Sequence, residues 1–106
     1  MKALKLYAPD HIELIDIENK LEALQEQVEG YIECVTLVPG KLVMIVNEEG
    51  LLMGLPFNMQ ATIIAHNNIS GKALIVCCDG EDFTDITPEY VKEITDKILR
   101  WEWLNE

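Results

Sequence analysis

Leu42-Val43-Met44-Ile45-Val46 is apolar at every position. A strand with one wet face alternates apolar and polar residues. This run has no polar position, so it reads as a central strand covered on both faces, or with one face buried and the other at an interface. Upstream, Pro39-Gly40 signals a turn, and Tyr31 to Val38 is rich in strand-forming residues. Further back, Leu21, Leu24 and Val28 share one helical face. Asn19 is placed to cap that helix with Glu22 as its capping-box partner, and Gly30 to stop it in the left-handed conformation. Ala3 to Ala8 and Ile12 to Ile17 read as a hairpin around Pro9-Asp10. The alternation slips at Leu14-Ile15, which points to a bulge.

Downstream, Asn47-Glu48-Glu49-Gly50 is a polar turn, and Leu51-Leu52-Met53 reads as a short strand pairing back. Gly54-Leu55-Pro56-Phe57-Asn58 breaks regular structure, and Asn58 caps a short helix over Met59 to His66. Ile69 to Cys78 contains the last strand, followed by the acidic turn Asp79-Gly80-Glu81-Asp82. Thr87 and Pro88 open the final helix, whose stripe Val91, Ile94, Ile98 and Trp101 faces the core. The order predicts a single α+β domain over residues 1–106. Its expected architecture is a small antiparallel or mixed β-sheet of four to five strands with two to three helices, mainly on one face.

Nineteen Asp and Glu face eight Lys and Arg, a formal charge of −11. Such a charge repels nucleic acid and anionic membrane. It suits a basic protein partner, or it serves solubility alone. The start Met1-Lys2-Ala3-Leu4-Lys5 lacks the apolar stretch of a signal peptide, and no run approaches a membrane span. The sequence predicts a cytoplasmic protein with no direct nucleic-acid binding and no membrane partner. Cys34, Cys77 and Cys78 show no CxxC or Cys/His metal spacing and read as small apolar filler. No metal or cofactor is predicted. His11 and His66 stand outside any nucleophile motif, and no glycine-rich phosphate loop is present. The chain therefore reads as a non-enzyme.

Three places are candidates for binding a ligand or partner. The first is the loop carrying Asn47, Glu48, Glu49, Gly54 and Asn58, whose asparagines either present amides outward or satisfy turns and caps. The second is the acidic turn with Asp79, Glu81 and Asp82, whose spacing does not match an EF-hand. The third is Trp103. On a helix it points about 200° away from Trp101, either outward as an interface anchor or packed on the sheet where the helix frays. The continuous apolar strand and an outward Trp103 and Leu104 also predict a homodimer. A monomer is the competing account if the segment Met59–His66 covers the second face of the sheet.

An ordered series of short motifs spans nearly the whole chain. It runs Met1-Lys2-Ala3-Leu4, Leu21-Glu22-Ala23-Leu24-Gln25, Gly30-Tyr31-Ile32-Glu33, Val46-Asn47-Glu48-Glu49-Gly50, Gly54-Leu55-Pro56-Phe57-Asn58 and Asp79-Gly80-Glu81-Asp82-Phe83. The series resembles a family known as domain of unknown function 3846. The resemblance implies a small protein of bacteriophages and mobile elements, with no catalytic residues to carry over. Three functions follow as expectations. One is a non-enzymatic inhibitor of a host defence system, binding a basic host protein through the acidic face. The alternatives are a small-ligand, nucleotide-signal binding protein and an accessory protein.

Overall fold

The computed structural model describes residues 1–8 and 10–104, the side chains of 103 and 104 excepted. The elements are β1 (Lys2–Tyr7), β2 (His11–Asp16), α1 (Leu21–Val28), β3 (Ile32–Val38), β4 (Leu42–Asn47), α2 (Met59–Ala65), β5 (Ala73–Asp79), β6 (Asp82–Thr84) and α3 (Pro88–Leu104). The α+β reading holds, with six strands in one sheet rather than four to five. The strand order is β2-β1-β5-β4-β3, with β6 pairing β5 off that path. Every pairing is antiparallel. The sixth strand is only Asp82–Thr84, too short to give an alternation signal in the sequence.

The continuous run of β4 is explained by cover on both faces. Leu42, Met44 and Val46 join Leu4, Leu6, Ile75 and the helix residues Ala61, Ile94 and Ile98 in one core cluster. Ile45 joins Ala3, Leu74 and Val76 with Leu24 and Val28 of α1 in another. Two helices thus lie on one face, as the sequence implied, and α1 lies on the other. The homodimer expectation rests on an outward Trp103 and Leu104, whose side chains lie outside the described residues, and on the premise that one face of β4 lacks cover within the chain. That premise falls, since the chain covers both faces of β4 by itself.

Several local details differ from expectation. The hairpin of β1 and β2 keeps an unbroken register from Lys2↔Asp16 to Tyr7↔His11, and the irregularity falls instead between Thr36 and Val38. Lys20, not Asn19, holds the N-cap position of α1 and makes no side-chain cap bond. The amide of Asn19 instead donates to the Phe83 carbonyl at 2.9 Å, a long-range partner invisible in local sequence. Glu29, with φ 66°, is the left-handed stop rather than Gly30. Gly30 is needed for closeness: a Cβ there would sit 2.7 Å from Asn47 Nδ2. At α3 the reading holds, with Thr87 Oγ1 accepting from Tyr90 N at 3.3 Å. No helix among the described residues is long and apolar enough to cross a membrane.

Candidate functional site

The segment between β4 and α2 is built around two buried asparagines. Asn47 ends β4, where its Nδ2 donates to the Val28 carbonyl at 3.0 Å and its Oδ1 accepts from Glu49 N at 2.7 Å. The residue thereby ties the end of α1 to the loop. Backbone bonds then close the loop on itself: Met53 N to Glu49 O, Gly54 N to Leu51 O and Leu55 N to Gly50 O. Gly50 is packed so closely that a Cβ would lie 2.2 Å from the Ser70 carbonyl oxygen. Asn58 is fully buried. Its Nδ2 donates to the carbonyls of Leu6 at 2.9 Å and Gly71 at 2.8 Å, and its Oδ1 accepts from Ala61 N at 3.1 Å as the cap of α2. Both amides therefore face inward and serve the fold.

What faces outward is different. Leu51 and Leu52 are 82% and 87% exposed, and Met53 is half exposed. Glu48, Glu49 and Gly54 are exposed beside them. The sequence predicts a short strand at these leucines; the loop is instead a series of turns. The signal available was an apolar triplet between Gly50 and Gly54, too short to reach cover and return.

Beside this loop lies a cleft of about 120 Å³, lined among others by Glu33, Val35, Glu48, Leu51, Asn67 and Ser70. No Lys or Arg lines it. Neither Glu33 nor Glu48 has an ion-pair partner among the described residues. This contrasts with Asp16, Glu18, Glu29, Glu93 and Asp96, each within 4 Å of a cation.

The other predicted acids stand at the opposite end of the sheet. Asp79 and Asp82 pair directly across β5 and β6, with Gly80 (φ 65°) and Glu81 forming the turn. Asp79, Glu81 and Asp82 are exposed. No group of three or more metal-binding side chains occurs among the described residues. The Trp103 side chain lies outside the described residues.

A polar cluster that sequence reading missed occupies the α1 face near Gln27. Lys5 is 7% exposed. Its Nζ donates to Gln27 Oε1 at 2.6 Å and sits 4.5 Å from the centre of the Tyr7 ring. Burial, then the neighbouring Lys72, lowers its pKa, against the opposing pull of Glu13 and Glu29. Lys72 pairs with Glu29 at 2.9 Å. The cluster is balanced internally: two cations, two carboxylates, and the Tyr7 ring face under both ammoniums, Lys72 at 5.9 Å as well as Lys5. Its sequence signal was a lysine in the middle of an apolar strand. Cys34 lies exposed on β3. Desolvation, then the charges of Glu33 and Cys78, raises its pKa, which keeps it a thiol rather than a nucleophilic thiolate. The His11 ring lies 5.0 Å from the Tyr7 ring, centre to centre, at a tilt of 46°, and His66 is the left-handed C-cap of α2.

The model of the family described as Domain of unknown function (DUF3846) matches residues 1–99. Comparison with curated proteins and with solved structures finds no match.

Proposed function

We propose that this chain, which belongs to the family described as Domain of unknown function (DUF3846), is a non-enzymatic binding protein that recognises a basic protein through its acidic, leucine-tipped loop. The observation that carries the reading is the exposure of Leu51 and Leu52 on a loop held rigid from beneath. Adjacent large apolar side chains exposed together on an ordered loop form a patch of the kind that marks a protein interaction site. The flanking Glu48 and Glu49, with Glu33 in the adjoining cleft, supply a negative rim. Such a rim steers a positively charged partner and excludes a negative one. The setting is a phage or mobile element, and the target is a basic host protein of a defence system. The nucleotide-signal alternative finds less support, because Lys72 is paired with Glu29 and Lys5 is buried under α1.

The test is retention of a basic protein from host lysate by the wild type, by Leu51→Asp with Leu52→Asp, and by Glu48→Lys with Glu49→Lys. The expected result is one protein held by the wild type, lost in both variants and released by raised salt. Retention by both variants, or retention indifferent to salt, refutes the reading.

A further inference from the structure

The sheet ends at β3, and the backbone pattern shows what that edge offers. Glu48 N donates to Tyr31 O at 2.8 Å. In an antiparallel ladder bonded pairs alternate with non-bonded ones. Residues 31, 33 and 35 therefore turn their N–H and C=O groups toward β4. Ile32, Cys34 and Thr36 turn theirs away from the sheet. The next ladder agrees: Cys78 N donates to Lys41 O, so 43 and 45 point to β5 and leave 44 and 46 for β3. No strand lies beyond β3 among the described residues. Three residues thus present a row of donors and acceptors at the correct spacing for another strand.

β2 is the edge at the far end of the strand order, the three-residue β6 also having a single neighbour, β5, among the described residues; the surroundings of β2 differ from those of β3. Asp16 on β2 is engaged by the N-terminal amine and Lys2, and the groove beside β2 carries Lys2 and Lys92. Beside β3 lies the acidic cleft, bordered by Glu33 and Val35 of the edge strand itself. Side chains of an added strand would fall alternately on the two faces. Those on the face shared by Glu33 and Val35 would enter that cleft. There they would meet Glu33 and Glu48, neither of which has an ion-pair partner among the described residues.

We infer that the open edge of β3 takes an extended basic segment of a protein partner as a seventh strand, its backbone bonded to Ile32, Cys34 and Thr36 and a Lys or Arg side chain seated between Glu33 and Glu48. Leu51 borders the same cleft, so strand and leucine loop form one continuous surface. The inference rests on the reading above that the partner is basic, and it adds how that partner is held.

The experiment uses a capped peptide of about eight residues alternating lysine and valine, long enough to span the edge strand. It is titrated into the isotope-labelled protein and followed by amide resonances. The expected result is saturable binding with the largest shifts at Ile32, Cys34 and Thr36. The same peptide N-methylated on the amides facing β3 keeps its charge but loses its donors, and should bind at least about tenfold more weakly. Cys34→Pro removes one outward N–H without touching the β4 ladder, a position where an edge strand tolerates proline. It should give a comparable loss. Equal affinity for the methylated and plain peptides, or no binding to the wild type, overturns the inference, and neither arm depends on a variant folding. A dimer of this chain that Cys34→Pro dissolves also overturns it, since a second copy would then occupy the edge. A lysate protein that still binds Cys34→Pro fully, yet is lost with Leu51→Asp, sinks the edge inference and leaves the proposed function standing.

Discussion

Replacing Asn58 by alanine removes three hydrogen bonds at once from a site with no solvent exposure. The amide joins the end of β1, the segment before β5 and the first turn of α2. Each buried bond contributes about 0.5–1.5 kcal/mol net, and a stranded group costs about 1–3 kcal/mol. The Leu6 carbonyl keeps a second lone pair directed at β5 by the β1–β5 register, so its loss is the smallest of the three. The expected destabilisation is about 3–4 kcal/mol, a large part of the stability of a domain this size. Urea unfolding followed by far-ultraviolet circular dichroism measures it. Asn58→Asp sharpens the test. Its carboxylate can still cap α2, but it would face the carbonyls of Leu6 and Gly71 with no donor. At neutral pH it should therefore be at least as damaging as alanine. Burial and those carbonyls disfavour the charged form, so the introduced carboxyl is raised above its unfolded value. A group raised in the folded state adds stability at low pH and loses it as pH rises. The Asn58→Asp variant should accordingly recover stability on acidification toward pH ~4, near the unfolded carboxyl value. A loss under about 1 kcal/mol for Asn58→Ala, below the value of one such bond, or neutral-pH stability of Asn58→Asp equal to wild type, refutes the reasoning.

Gly30→Ala should cost about 1–3 kcal/mol by overpacking against Asn47, read as a shifted urea midpoint. His66→Gly should stabilise by about 0.5–1 kcal/mol, because His66 holds φ 55° at the end of α2 where glycine is free of strain; an unchanged melting temperature would contradict that geometry. Hydrogen bonds from the N-terminal amine, then from Lys2, hold the Asp16 carboxyl below its usual pKa. A depressed group contributes stability above its unfolded pKa and loses it as pH falls through the folded value. Melting temperatures should thus fall less steeply below pH ~4 in Asp16→Asn than in wild type, and parallel curves would count against this pairing.

The sequence by itself determined the elements whose cause is local. Periodicity marked α3, Thr87 and Pro88 marked its start, and Asn58 marked the start of α2. The unbroken apolar run at Leu42–Val46 required cover on two faces, and it has that cover. Tertiary structure alone decided what depended on residues far apart in the chain. Asn19 left its capping role for the Phe83 carbonyl, a partner 64 residues away. Asn47 and Asn58 are compatible in sequence with facing a ligand as well as with serving turns and caps, because an amide makes the same bonds in both settings. Their partners, Val28 for one and Leu6 and Gly71 for the other, exist only after the sheet has formed. α1 went to the face opposite α2 and α3, since a helix stripe specifies that it is buried and not against which side of a sheet. The leucine loop and the acidic cleft join Glu33, Leu51 and Ser70, and only folding brings those residues together. Which backbone groups of β3 stay open was set by ladder parity, which depends on pairing between strands rather than on the residues of either one.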